Sequence, residues 1–162
     1  MVRKIIVGTA AFTLIGFIVI QILPVGNFID VLKRDANPPV TATVAWDSPL
    51  TERMVRNSCF DCHSNETVWP WYSNVAPFSW MITREVNKGR RAMNFSEDPP
   101  ESFDVDDMEW HIHNDMPPRL YLTLHPNAEL SQAERTLMVK ALAAMYGRDG
   151  QSEMDGMNMG GS

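Results

Sequence analysis

The sequence predicts a mainly α-helical protein with a single N-terminal transmembrane helix and one small domain. Three observations lead to this prediction. Residues 5–23 are apolar and carry no charge. Two later stretches, beginning at Ser48 and Ser131, combine helix-start residues with apolar positions at helical spacing. The remaining chain of about 135 residues is long enough for one small domain but short for two.

The apolar run at residues 5–23 has the length of a membrane-spanning helix, because as a helix it would extend about 28 Å. Pro24 ends it. Arg3 and Lys4 in front of it are also typical of a cleaved signal peptide. However, the run is longer than a usual signal core, and no small-x-small cleavage site follows closely. We therefore expect residues 1–25 to stay on the protein as an anchor, with a cleaved signal peptide as the alternative.

Beyond the anchor, the pattern divides the chain into three further parts. Residues 26–46 contain prolines and a β-branched run, and predict an extended tether. Residues 47–147 contain the helix signals and predict the folded domain. Residues 148–162 are polar and rich in Gly and Met, and predict a flexible tail. Soft thioethers in this tail can bind Cu(I), but its composition favours a disordered end.

Three helices are expected in the domain. The first begins at Ser48-Pro49, with the serine as N-cap and the proline at the first helical position. The second covers about residues 77–93 and places Phe78 on its apolar face. Gly89 falls on the same face, which predicts that another part of the chain approaches closely there. The last helix opens with a capping box and covers about residues 131–147.

The chain is acidic, with a formal net charge of −6. Once Arg3 and Lys4 are set aside with the anchor, 12 basic residues stand against 20 acidic ones. This balance excludes nucleic acid as an expected partner. The stretch between Ser96 and Trp110 carries seven acidic residues and no basic one, which predicts a solvated loop or an acidic docking surface.

The most informative stretch of the chain is Cys59-Phe60-Asp61-Cys62-His63. Two cysteines three apart, followed directly by a histidine, form the pattern by which a c-type haem is attached. Each thiol adds to one vinyl group of the haem to form a thioether. The histidine is placed to bind the iron from one side of the ring. The motif therefore predicts one covalent haem c, held by Cys59 and Cys62, with His63 as a ligand of the iron.

Three other uses of the same residues are weaker. A zinc site lacks a second cysteine pair, and the adjacent Cys62 and His63 are awkward as joint ligands. A redox-active cysteine pair of the thioredoxin type requires alternating strands and helices around it, which the flanking sequence does not show. A structural disulfide would leave His63 without a role.

The haem motif also predicts the orientation of the chain in the membrane. The basic residues on the two sides of the apolar run balance each other, so charge does not decide. Attachment of haem c takes place outside the cytoplasm. We therefore expect a single-pass protein of the cell inner membrane with its domain on the periplasmic side.

The second ligand of the iron is expected in the stretch Met116-Pro117-Pro118. Two prolines restrict the loop, and methionine is the usual partner of histidine in electron-carrying c-type haems. His111, His113 and His125 are rival ligands. The plainer interpretation of Met116 is a buried side chain that fills a gap in the core.

Three large rings at Trp69, Trp71 and Tyr72 lie in the loop between the first two helices of the domain. They are expected either to pack against the haem or to belong to the ordinary core. The sequence does not separate these two interpretations.

From about Asn37 to Met145, the chain resembles the small bacterial haem-binding domain proteins of c-type cytochrome character. The resemblance implies a haem c on Cys59 and Cys62 with His63 as axial ligand, and makes Met116 and His125 the leading candidates for the other side. It is carried by these stretches, in order: Asn37-Pro38-Pro39, Cys59 to Asn65, Trp69-Pro70-Trp71-Tyr72-Ser73, Ala76-Pro77, Gly89-Arg90, Asn94-Phe95-Ser96, Met116-Pro117-Pro118, Tyr121, His125-Pro126 and Leu130-Ser131.

The fold expected in full is thus a transmembrane helix followed by a small, mainly helical domain like that of c-type cytochromes. The expected function is electron transfer rather than enzymatic catalysis. The protein would act as a carrier or as the haem subunit of a larger respiratory or photosynthetic membrane complex, with redox proteins as partners. The alternatives are a peroxidase-like haem enzyme and a gas or redox sensor, both of which need an open position on the iron.

Overall fold

The computed structural model describes residues 1–97 and 104–146, and the expected tail at 148–162 lies outside them. All regular structure in the described residues is helical, which confirms the mainly α fold. The helices are α1 (Val2–Ile22), α2 (Pro49–Ser58), α3 (Phe60–His63), α4 (Phe78–Ala92), α5 (Val105–Asn114), α6 (Arg119–Leu124) and α7 (Gln132–Tyr146). Short 3-10 turns lie at Val25–Asn27, Asp30–Leu32, Trp71–Asn74 and Pro126–Ala128.

Helix α1 is the expected apolar helix, and none of its residues is buried. It is long and apolar enough to cross a membrane. The backbone becomes extended at Leu23, in front of Pro24, because a residue before proline disfavours the helical conformation.

The chain forms two compact units. The first consists of residues 1–36 and 68–88. Polar side chains hold its segments together: Gln21, in the last turn of α1, exchanges two hydrogen bonds with the backbone of Ala76. The Asn87 side chain donates to the carbonyl groups of Val31 and Lys33, each at 3.0 Å.

Two ring residues of this first unit are exposed, against expectation. Trp71 is 79% exposed, so the interpretation of this ring as ordinary core is wrong. Phe78 is 45% exposed although it lies on the expected apolar face of α4, on which Val86 is buried. A helix has one apolar face by sequence, but which part of that face finds a partner depends on the rest of the chain.

The second unit consists of residues 37–67 and the chain from residue 89 onward. Its core joins helices α2, α5 and α7, and aromatic rings stack within it. Phe60 and Phe95 lie 5.4 Å apart between ring centres, nearly parallel, and Trp46 packs against both. The buried apolar residues of this core are Met54, Val55, Phe60, Phe95, Ile112, Leu130, Met138, Val139, Leu142 and Tyr146.

Both expected helix starts are confirmed. The Ser48 hydroxyl accepts a hydrogen bond from the Thr51 amide at 3.1 Å, with Pro49 as the first residue of α2. Before α7, the Glu134 carboxylate accepts from the Ser131 amide at 2.8 Å, and the Ser131 hydroxyl accepts from the Glu134 amide at 3.3 Å. This reciprocal pair is a capping box.

Candidate functional site

The Cys59–His63 stretch folds as one tight helical turn. Cys59 ends α2, where its amide donates to the Val55 carbonyl at 2.8 Å. Its own carbonyl accepts hydrogen bonds from the amides of Cys62, at 3.1 Å, and of His63, at 2.8 Å. Residues three apart on a helix lie on neighbouring positions of its surface. The turn therefore keeps the two thiols at a short, fixed separation, and neither cysteine is in a disulfide.

The imidazole of His63 is oriented from outside the motif. Its Nδ1 lies 3.2 Å from the carbonyl oxygen of Met93, just after the end of α4. A carbonyl oxygen only accepts, so this contact requires a proton on Nδ1 and leaves the lone pair on Nε2. Burial lowers the pKa of His63, opposed in part by hydrogen bonds to the backbone of Met93 and Gly89. The neutral ring is the form that binds a metal.

Gly89 lets α4 pass directly against the haem motif. A Cβ atom at position 89 would lie only 2.4 Å from the carbonyl oxygen of Cys62. Real Cβ contacts are not that short, so only glycine fits this position. The close approach expected at Gly89 is thereby confirmed, and its partner is the backbone of Cys62, the second cysteine of the motif.

Polar side chains after the motif fix its exit from the helix. The Arg90 guanidinium donates to the Ser64 carbonyl, the Thr67 hydroxyl and the Asn37 side chain, each at 2.8 Å. From the sequence, Arg90 and Asn37 were known only as residues that carry the resemblance, and their contacts were not predicted. The position of Arg90 next to Gly89 could have indicated a role at the motif, but its partners lie 23 to 53 positions away along the chain.

A second set of polar contacts joins two other stretches that carry the resemblance. The Asn65 carboxamide accepts from Asn94 and donates to the Pro39 carbonyl, both at 2.8 Å. The Asn65 amide donates to the buried hydroxyl of Ser96 at 3.0 Å. Because these groups are buried, each needs its partner, and the asparagines and serine therefore work as one network.

Arg135 contacts the Met116 loop and also acts on Cys59 of the motif. The Arg135 guanidinium donates to the carbonyl groups of Ile112 and Met116, and so ties the Met116 loop to α7. The same positive charge acts on Cys59. Burial, and then the neighbouring Cys62, raise the pKa of the Cys59 thiol to about 12, while Arg135 opposes this rise. Met116 itself is half-buried.

His125 reaches the motif through Tyr121. Its ring stacks on the Tyr121 ring, with 4.1 Å between ring centres, and its Nδ1 lies 3.1 Å from the Tyr121 carbonyl. The Tyr121 hydroxyl donates to the Asp61 carboxylate, inside the motif, at 2.7 Å. From the sequence, Tyr121 was known only as a residue that carries the resemblance, and its hydrogen bond to Asp61 was not predicted.

His111 lies between two carboxylates. Its two ring nitrogens face carboxylates on α5 and just beyond its end, with Nδ1 2.8 Å from Asp115 and Nε2 3.7 Å from Asp107. The half-buried His113 lies on the same helix. The Met116 backbone and His125 are linked to the motif through Arg135 and Tyr121, and the charge of His111 contributes to the lowered pKa of His63. The second ligand of the iron stays a prediction.

The donor set fits a covalently attached haem. It consists of two thiols outside any disulfide, held in one helical turn, and an imidazole whose Nδ1 is satisfied by a carbonyl, so that Nε2 is the available donor. This orientation of a ligand histidine by a backbone acceptor is typical of metal-binding sites. Within residues 1–97 and 104–146, no group of three or more His, Cys, Asp or Glu side chains is placed to hold a metal ion by itself.

The family model described as the haem-binding domain matches residues 15–144. The chain belongs to the haem-binding domain family. The resemblance drawn from its motifs is therefore confirmed, and the protein is a haem protein. No curated protein and no solved structure showed significant similarity to the chain.

Proposed function

We propose that this member of the haem-binding domain family is a membrane-anchored c-type cytochrome that carries electrons on the periplasmic side of the inner membrane. Cys59 and Cys62 would hold one haem c through thioethers, and His63 and Met116 would bind its iron. The bound haem supplies reversible one-electron chemistry. The observation that carries the proposal is the Cys59–His63 turn with the His63 Nδ1 fixed on the Met93 carbonyl.

The contacts around the motif suit electron transfer, which needs a site that changes little between its two oxidation states. Gly89, Met93 and Arg90 hold the motif from α4 and its end. Arg135 holds the loop of the second ligand through two backbone carbonyls. A methionine thioether opposite histidine raises the reduction potential relative to two nitrogen ligands.

Membrane anchoring is supported by α1, whose apolar side chains are exposed along its whole length. An anchored carrier diffuses in the two dimensions of the membrane, so it contacts other proteins of that membrane. We therefore propose that its partners are redox proteins of the same membrane, in a respiratory or photosynthetic complex.

The visible spectrum of the purified full-length protein tests this function. We expect haem absorbance that stays with the chain after denaturation, and reduced α and β bands that do not change with carbon monoxide, because both axial positions are filled. Rapid binding of carbon monoxide would contradict the carrier function and favour an enzyme or a sensor. Absence of haem after expression with haem-attachment machinery would refute every haem function.

The second ligand is tested by Met116→Ala, with Met108→Ala as the matched control, since Met108 is a partly buried methionine packed against the core of the same unit. Met116→Ala should abolish the weak near-infrared band of methionine-bound iron and lower the potential. Met108→Ala and His125→Ala should leave that band in place. A wild-type protein without the band, whose spectrum changes in His125→Ala, would instead have two histidine ligands.

A further inference from the structure

Several large apolar side chains of the first unit are exposed, and they lie in the segments that adjoin the outer end of α1. Phe28 lies four positions after Pro24 and is 83% exposed. Trp71 and Phe78 are exposed on the segment that leads into α4. Exposed aromatic side chains in segments that adjoin a membrane helix are candidates for an interaction surface.

Gln21 fixes the position of this second segment relative to α1. Its carboxamide accepts from the Ala76 amide at 2.9 Å and donates to the Ala76 carbonyl at 3.1 Å. A carboxamide in the last turn of an apolar helix needs such partners, because lipid offers none. Ala76 therefore lies within hydrogen-bond reach of the end of α1, between Trp71 and Phe78 in the chain.

Arg34 makes a second connection to the same segment. Its guanidinium donates to the Ser73 carbonyl at 3.0 Å and to the Asn74 side chain at 2.9 Å, and it covers the Trp69 ring at 4.2 Å. The segment after α1 and the segment around Trp71 are thus fastened to each other as well as to the helix.

The length of α1 sets the depth of these residues in a bilayer. A helix of 21 residues extends about 31 Å, close to the hydrocarbon thickness of about 30 Å. Gln21 then lies near the boundary of the hydrocarbon. The residues bonded to it lie in the interfacial layer, which is where Trp side chains concentrate in membrane proteins.

We propose that Phe28, Trp71 and Phe78 form a membrane-interface surface, which enters the headgroup layer of the bilayer that α1 spans. This inference rests on the proposed membrane anchoring and adds a second contact to it. A helix alone leaves the unit free to tilt relative to the membrane plane. An aromatic surface at its end restricts the unit to tilts in which these rings reach the lipid.

Spin labels on full-length haem protein in phospholipid vesicles test the proposal. Single cysteines would replace Trp71, Phe28, Phe12 and Gln132, each labelled with a nitroxide. Cys59 and Cys62 do not react if both are thioether-linked, and the unsubstituted protein taken through the same labelling measures any free native thiol. The ratio of collisions with oxygen to collisions with a water-soluble nickel chelate reports depth.

Labels at positions 71 and 28 should give ratios several-fold above that at 132, which lies at the polar start of α7, and below that at 12, in the middle of α1. A deep label at 12 combined with water-like ratios at 71 and 28 would overturn the proposal and leave the anchor intact. A water-like label at 12 would refute the anchoring itself. The two failures are therefore distinguishable.

Discussion

Gly89→Ala should destabilise the protein, although alanine is the better helix former. In an open helix position, this change stabilises by about 1 kcal/mol. At position 89, however, the new Cβ would lie 2.4 Å from the carbonyl oxygen of Cys62 and 2.9 Å from its carbonyl carbon. Both atoms belong to the backbone of α3, so they cannot rotate away as the end of a long side chain would.

The size of the effect follows from the separation that is required. Relieving the contact requires α4 and the haem motif to move apart by roughly 1 Å, since non-bonded carbon contacts are favourable near 3.5–4.0 Å. Overpacking of this kind costs about 1–3 kcal/mol, and a backbone obstacle places Gly89→Ala in the upper half of that range. After the gain in helix propensity is subtracted, we expect a net loss of about 1–2 kcal/mol.

Denaturant unfolding of the haem-loaded protein in detergent, followed through the haem absorbance, measures this loss as a lower midpoint. Gly16→Ala is the matched control, because no atom outside its own helix lies within 4 Å of a Cβ at that position. The control should not lower the midpoint, because alanine at an open helix position only adds helix propensity. A Gly89→Ala protein as stable as the wild type would refute the close contact between α4 and the motif.

Two further predictions concern the Met116 loop and the thiols. Arg135→Gln should reduce the fraction of protein with the methionine-to-iron band, because the guanidinium no longer binds the Met116 and Ile112 carbonyls. The control is Arg53→Gln, at an exposed position. An unchanged band in Arg135→Gln would contradict the role of Arg135 in holding the loop. In protein without haem, the raised pKa of Cys59 contributes stability that is complete below pH 9.0 and is lost as pH rises toward about 12. Thioether-linked protein lacks this thiol, so between pH 9.0 and 10.0 the haem-free form should lose more free energy of unfolding than the linked form, in which Tyr146, whose pKa is raised from 10.0 to about 12, causes a smaller loss. Equal losses in both forms would refute the raised pKa of Cys59.

Most local features were predicted from the sequence, although part of the stretch expected as an acidic loop or docking surface forms α5, which Asp104 caps. The haem motif occupies five consecutive residues, and both helix caps depend on contacts within three positions. The apolar helix requires only backbone bonds between neighbouring turns. Such interactions are made by residues that are already close in the chain, so the sequence alone determines the haem-binding family and the mainly helical fold.

The tertiary structure decided which partners these local elements meet. The Met93 carbonyl that orients His63, the Cys62 backbone that demands Gly89, and the Arg135 guanidinium that holds Met116 all come from distant parts of the chain. The exposure of Trp71 and Phe78 was decided in the same way, although both rings were candidates for burial. Hydrophobicity and hydrogen-bonding capacity are properties of one residue, whereas burial and pairing depend on which segment packs beside it, and only the folded chain specifies that neighbour.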